Sequence, residues 1–153
     1  METLRVPAAG PWAGVVGYSR VVRVGDVVHV AGTASLAPDG SIAHPGDAYR
    51  QALRCLELVA EALRRLGSAP EQVVRTRMFV KRREDWEAVG RAHGEYFGEV
   101  RPVTSMIFAE LIDPELLVEI EAEAVVRFAP SFTDVARAAP GRQGEREAES
   151  GGR

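Results

Sequence analysis

The pattern closest to chemistry is a row of carboxylates at every second position: Glu119, Glu121 and Glu123. Apolar residues alternate with them, which predicts a strand over residues 117–128 with all three carboxylates on one face. These charges repel one another unless cations lie opposite, and Arg75 and Arg77 have the same spacing. We therefore expect the strand at residues 73–80 to lie alongside, with opposite charges paired at about 0.2–1 kcal/mol each. At most one of the three glutamates is then expected to act in chemistry as a general acid or base.

The histidines and the cysteine give weaker signals. His93 shares the predicted apolar stripe of the second helix with Trp86, Val89 and Phe97, which favours a half-buried histidine bonded to a backbone carbonyl over a catalytic base. His29 is expected to face away from the core, and His44 lies in a predicted loop. Cys55 falls among leucines in mid-helix, as is typical of a small buried hydrophobe. No metal-ligand spacing connects these residues, so we expect no metal site.

The composition is that of one soluble globular domain. The chain has 153 residues, of which 46% are hydrophobic and 27% charged, and a single cysteine, so no disulfide can form within it. The formal net charge of −3 makes nucleic acid an improbable partner, because nucleic-acid binders usually carry a basic excess. No apolar run is long enough to span a membrane, and residues 1–10 do not form a secretory leader. We expect a cytoplasmic protein.

Periodicity predicts the order β-β-α-β-α-β-β. The predicted strands lie at residues 20–24, 27–33, 73–80, 103–109 and 117–128. The first helix is capped by Asp47 and ended by Gly67, and the second runs from Glu84 and Asp85 to Gly98. We expect the folded part to begin at about residue 10 within a domain of residues 1–128. Residues 129–153 are predicted to be a disordered tail, because they carry too few large apolar residues to offset their ordering entropy.

This order and several local strings resemble the RidA/YjgF family, the reactive intermediate deaminases, over about residues 17–127. The matching strings are Gly17-Tyr18-Ser19, Val30-Ala31-Gly32, Gln51, Val73-Val74-Arg75-Thr76, Phe79-Val80-Lys81 and Leu117-Val118-Glu119-Ile120-Glu121-Ala122. The resemblance implies a chorismate-mutase-like α+β fold, with one sheet backed by two helices. It also implies a homotrimer with a central β core and a ligand cleft between neighbouring subunits.

The resemblance further implies a hydrolytic activity without cofactor or metal. In the deaminase members, each cleft binds a small 2-imino or 2-enamino acid, and an arginine holds the substrate carboxylate. A glutamate on the last strand positions the water that attacks the imine carbon, and ammonia leaves. Arginine suits this task because its donors form a fixed fork that matches a planar carboxylate.

Carried over position by position, the resemblance gives a divided result. Glu119 falls on the catalytic glutamate. The residues implied to bind the ligand are Tyr18, Gly32, Thr104, Ser105 and Arg101. Thr104 stands where the family has its carboxylate-binding arginine, so the chain resembles a divergent branch that lacks it. Leu58 and Gly90 replace two family asparagines. Arg101 and Arg20 are the two candidates to supply the missing cation.

Three functions follow as hypotheses. The first is a hydrolytic deaminase of small imines or enamines, of the 2-iminobutanoate/2-iminopropanoate type, whose substrate has changed because Thr104 replaces the arginine. The second is a protein that binds a small metabolite in the intersubunit cleft without turnover. The third, an endoribonuclease or translation inhibitor, is disfavoured by the acidic net charge.

Overall fold

A computed structural model describes residues 2–126, and the predicted tail of residues 129–153 lies outside them. Within the described residues there are six strands: β1 (Thr3–Pro7), β2 (Ser19–Val24), β3 (Val27–Ala34), β4 (Val73–Val80), β5 (Val103–Phe108) and β6 (Val118–Val125). The α-helices are α1 (Ala13–Val16), α2 (Ala48–Arg65) and α3 (Trp86–Phe97). Two short 3-10 turns, Pro70–Gln72 and Arg83–Asp85, precede β4 and α3. The five predicted strands and both long helices are therefore confirmed.

The strands form one mixed sheet in the order β1-β2-β3-β6-β4-β5. Every neighbouring pair is antiparallel except β4 and β5, which are parallel and joined through α3. The strand β6 lies in the middle, between β3 and β4. This arrangement confirms that residues 73–80 and the last strand are neighbours.

The core lies between one face of the sheet and the two long helices. Along β6 the apolar residues of the alternation are buried, whereas the glutamates between them face the other, more open side of the sheet. In α2, the Asp47 side chain accepts a hydrogen bond from the backbone N–H of Arg50 at 2.9 Å, and Gly67 follows the helix at φ +76°. The helix buries Leu56 and Leu63 completely against the sheet. Burial of this apolar stripe holds α2 in place.

Two expectations are wrong. The folded part does not begin at about residue 10, because β1 pairs with β2 from Thr3 onward. This short strand is exposed apart from Val6, so it lacks the alternation that marks a half-buried strand. Trp86 does not belong to the buried stripe of α3, since it is 52% exposed at the first residue of that helix. It lines a surface pocket together with Met106 and Phe108 of β5.

Within residues 2–126, no helix is long and apolar enough to cross a membrane.

Candidate active site

A ladder of ion pairs occupies the open face of the sheet. In the pairing of β4 with β6, Arg75 lies opposite Glu123 and Arg77 lies opposite Glu121. Arg77 Nη1 is 3.2 Å from Glu121 Oε2, and Arg75 Nε is 3.8 Å from Glu123 Oε2. The predicted pairing is confirmed. These side chains are half-exposed, so each pair stabilises the fold by about 1 kcal/mol or less.

The ladder stops at Glu119. The same register places Phe79 of β4 and Ala34 of β3 beside it, so neither neighbouring strand offers a cation. Among the described residues, its carboxylate has no hydrogen bond or ion pair. Burial, and to a lesser degree the charge of Glu121, raise the pKa of the Glu119 carboxyl. A carboxyl whose pKa moves toward neutrality is suited to give and take protons.

A bulge in β3 makes room for this carboxylate. The register passes from Val30 opposite Ala122 to Thr33 opposite Ile120, so two residues of β3 face one of β6. A Cβ at Gly32, in the bulge, would lie 2.9 Å from the Glu119 Cδ and would overlap its Oε1. Any residue other than glycine would therefore displace the Glu119 side chain.

Glu119, Gly32 and Tyr18 line one cavity of about 400 Å³. Gly17 brings Tyr18 into place, because it ends α1 in the left-handed conformation at φ 66° and turns the chain into β2. The other walls are largely apolar and include Trp12, Phe79 and Ile112. Apolar walls explain why desolvation is the first cause of the raised pKa of Glu119.

The other predicted ligand residues lie elsewhere in the chain. Thr104 and Ser105 are exposed on β5, at the edge of the sheet, where they pair with Thr76 and Arg77. Arg101 is exposed just before β5 and has a positive φ of 47°. None of the three lines the Glu119 cavity of its own chain.

A chain of hydrogen bonds ties Thr104 to the interior. His93 Nε2 lies 2.8 Å from Thr76 Oγ1, which lies 2.9 Å from Thr104 Oγ1. Thr104 donates to the Pro102 carbonyl at 3.0 Å, so full pairing requires Thr76 to donate to Thr104 and His93 Nε2–H to donate to Thr76. Burial lowers the pKa of His93, in keeping with a neutral ring. The prediction that His93 bonds to a backbone carbonyl is therefore wrong, because its hydrogen-bond partner is the buried hydroxyl of Thr76.

Cys55 and His29 lie where the sequence predicts them. Cys55 is fully buried, and burial raises the pKa of its thiol, which suits a small hydrophobe rather than a nucleophile. His29 is exposed on the face of β3 away from the helices. In the part of the chain that the structure describes, no group of three histidine, cysteine, aspartate or glutamate residues could hold a metal ion.

Sequence reasoning missed most of the cavity walls. Trp12 and Ile112 lie in segments where no periodic pattern assigns a side chain to a face. Phe79 carried a signal, because it continues the two-residue spacing of Arg75 and Arg77. An apolar residue at that position of the row is what leaves Glu119 without a cation.

The architecture is of the α+β class, with a mixed sheet covered on one face by two long helices and a carboxylate cavity on the other. The chain matches the model of the endoribonuclease L-PSP family over residues 11–126. It therefore belongs to this family, the RidA/YjgF family, as the resemblance indicated.

Two relatives and two solved structures illustrate the similarity. The chain is 40% identical to an uncharacterized protein of Streptomyces coelicolor, over 78% of this chain and 90% of that protein. It is 28% identical to the 3-aminoacrylate deaminase RutC of Acinetobacter baylyi, over 71% and 86% respectively. Rv2704 of Mycobacterium tuberculosis, a YjgF/YER057c/UK114 family member, superposes with a TM-score of 0.73 at 40% identity, over 82% of this chain and all of that one. Escherichia coli TdcF with bound serine superposes with a TM-score of 0.67 at 26% identity, over 80% of this chain and 94% of that one.

Proposed function

We propose that this protein is a hydrolytic deaminase of small imine or enamine metabolites in which Glu119 handles the water. The observation that carries the proposal is the break in the ion-pair ladder. Two of three equivalent glutamates face arginines, whereas the third, Glu119, has no arginine opposite it. It lies in a largely apolar cavity, and burial raises the pKa of its carboxyl. The deaminase activity of the RutC relative and the small amino acid bound to TdcF support a site for small nitrogen compounds.

The chemistry needs little from the protein. Ionised Glu119 accepts a proton from water as the water oxygen bonds to the imine carbon, and the C=N electron pair moves to nitrogen. Protonated Glu119 passes this proton to the nitrogen, and the hydroxyl proton of the addition product then reaches the nitrogen through Glu119. The C–N bond breaks, the carbonyl forms, ammonia leaves and Glu119 is again ionised. An enamine enters the same sequence after protonation at carbon gives the imine. Positioned proton transfer of this kind contributes about 10²–10⁴-fold to a rate.

Assembly into a homotrimer is part of the proposal. The outer strand β5 exposes apolar side chains, with Val103 63% exposed and Ile107 47% exposed. An exposed apolar edge strand is a surface that proteins normally cover. A neighbouring subunit that packs there would bring Thr104, Ser105 and Arg101 to the mouth of another chain's Glu119 cavity. Sedimentation equilibrium on the full chain checks this, and a monomer would contradict it.

The activity test measures ammonia released when 2-aminoacrylate or 3-aminoacrylate is generated in situ. The wild-type protein is expected to accelerate release, and Glu119→Gln is expected to lower this acceleration about 100-fold or more. Glu123→Gln is the matched control, because it changes the same residue type on the same face at the paired end of the ladder. Equal rates for Glu119→Gln and wild type would overturn the role of Glu119.

A second candidate is binding without turnover. It is favoured by the largely apolar walls of the Glu119 cavity and by Thr104, which offers a hydroxyl where a cation would hold a carboxylate. A thermal-shift screen with small carbonyl compounds discriminates the two, because a ligand that binds only the folded state raises its midpoint. Stabilisation without ammonia release supports binding alone.

An RNA-directed role gains no support from the open face of the sheet. The two arginines that β4 contributes to this face, Arg75 and Arg77, each lie beside a carboxylate that offsets their positive charge. Binding of RNA at low salt that weakens steeply as salt rises would revive this role.

A further inference from the structure

Arg20 lies on the helix side of the sheet because β2 carries a bulge. The register with β1 passes from Val6 opposite Val21 to Pro7 opposite Ser19, so Arg20 has no partner residue in β1. Ser19 lines the open face together with Arg77. Arg20 instead reaches toward α2, where its Nη2 donates to the Leu58 carbonyl at 3.3 Å.

Among the described residues, no carboxylate lies within ion-pair distance of the Arg20 guanidinium. Its Nη1 donates to the Ala31 carbonyl at 3.3 Å, and with the bond to Leu58 this uses two of five N–H groups. Within residues 2–126, the other three have no acceptor, and no carboxylate forms an ion pair with it. Burial lowers the pKa of Arg20, while Tyr18 and Glu61 act weakly in the opposite direction. A desolvated cation with spare donors is stabilised by any anion that reaches it.

A cavity of about 750 Å³ opens at this guanidinium, between the chain at residues 7–12, the loop at residues 36–40 and α2. Its walls combine apolar surface with three arginines, Arg20, Arg54 and Arg65, against two acids, Asp39 and Glu61. Arg54 is already engaged by Glu57 at 3.1 Å. Arg65 is exposed, so solvent screens its charge, whereas Arg20 is half-buried and forms no ion pair among the described residues. Arg20 is therefore the cation best placed to receive a ligand.

We propose that the Arg20 cavity binds a small carboxylate whose apolar part lies against Trp12 and Leu58. The fixed fork of arginine matches a planar carboxylate with two parallel hydrogen bonds. The cavity is large enough for a compound bearing an aromatic ring, since ligand pockets usually measure about 300–1,000 Å³.

This cavity adjoins the one that holds Glu119. Both are lined by Trp12, Tyr18, Gly32 and Ala34. The role of Arg20 toward substrate rests on the proposed function. In that role Arg20 binds the substrate carboxylate, which Thr104 cannot do because it carries no charge, and so selects substrates that bear a carboxylate. Carboxylate binding itself does not depend on turnover.

The experiment is calorimetric titration of the full chain with benzoate, with benzamide as the uncharged analogue of the same shape. Benzoate is expected to bind at least tenfold more tightly than benzamide. Arg20→Gln is expected to weaken benzoate at least tenfold, whereas Arg64→Gln, which removes an exposed arginine of α2 outside the cavity, leaves it unchanged. Equal binding of benzoate and benzamide, or of benzoate to wild type and Arg20→Gln, would overturn the proposal.

A second pair of variants keeps Arg20 and its backbone hydrogen bonds. Leu58→Glu places a carboxylate beside the guanidinium and is expected to reduce benzoate affinity at least tenfold, while Leu58→Gln reduces it less. Equal losses in the two would show that the effect is steric and would contradict the proposal. Benzoate affinity is measured without turnover, so loss of ammonia release in Glu119→Gln and loss of benzoate binding in Arg20→Gln report separate failures.

Discussion

The two ends of one row of glutamates on β6 have different surroundings. At one end, Glu121 and Glu123 face arginines of β4 in half-exposed pairs. At the other end, Glu119 faces Phe79 and lies in a largely apolar cavity with Tyr18 and Gly32. Residue type, strand and face are the same, so only the neighbours differ. The comparison teaches that cross-strand register decides which carboxylate stabilises the sheet and which remains available for chemistry.

The largest effect on the difference between Glu119 and the paired glutamates is expected from a side chain added at Gly32. In Gly32→Ala, the new Cβ overlaps the Glu119 carboxylate and pushes it from its place. We expect the ammonia-release activity to fall about 10–100-fold, because displacements near 1 Å are costly to a positioned group. Stability changes little, since the obstacle is the far end of a flexible side chain. Gly14→Ala is the control, because nothing lies within 4 Å of a Cβ added at Gly14. Equal activities of Gly32→Ala and Gly14→Ala would contradict this account of Gly32.

The chain of hydrogen bonds from His93 through Thr76 to Thr104 can be interrupted by a substitution that leaves Glu119 unchanged. Thr76→Val keeps the shape of a fully buried side chain but leaves the His93 Nε2–H without its acceptor. An unpaired buried donor costs about 1–3 kcal/mol in the free energy of unfolding, measured by urea denaturation. Thr104→Val changes an exposed residue and is expected to cost less. A Thr76→Val variant as stable as the wild type would show that this chain of hydrogen bonds does not stabilise the fold.

Glu121→Gln sharpens the comparison through pH. The charge of Glu121 contributes to the raised pKa of Glu119, so its removal lowers that pKa. Activity requires ionised Glu119 and is lost as pH falls through the pKa of this carboxyl. The acid limb of the pH–activity profile is therefore expected to move to lower pH in Glu121→Gln. Glu123→Gln, one position further along the row, is expected to move it less. An upward shift in Glu121→Gln would contradict the assigned cause.

The smallest effect is expected at the paired end. Arg77→Gln removes contacts of 3.2 and 3.5 Å to Glu121 and Glu123, both half-exposed. Pairs of this kind contribute about 0.2–1 kcal/mol, so the urea midpoint falls slightly, and by less at high salt. A loss of several kcal/mol would show that the ladder is a larger part of the fold's stability than its exposure implies.

The sequence predicted the regular parts of the molecule well. The periods of two and 3.6 in the strands and in α2 follow from which side is buried, and matched spacing of Arg75 and Arg77 with the glutamates predicted their pairing. The two bulges could not be predicted from the sequence. The extra residue at Arg20 or at Gly32 depends on the register with the partner strand, not on the local sequence pattern. The resemblance placed Tyr18, Gly32 and Glu119 together, whereas the partner of His93 depended on a residue 17 positions away.

The central claim is that Glu119 differs from its two neighbours in the row because no cation faces it. Titration of the glutamate side-chain carboxyl carbons by nuclear magnetic resonance, assigned with Glu119→Gln, Glu121→Gln and Glu123→Gln, tests this most directly. The account predicts a midpoint for Glu119 above the ordinary glutamate value. A Glu119 midpoint at or below the ordinary value would contradict it.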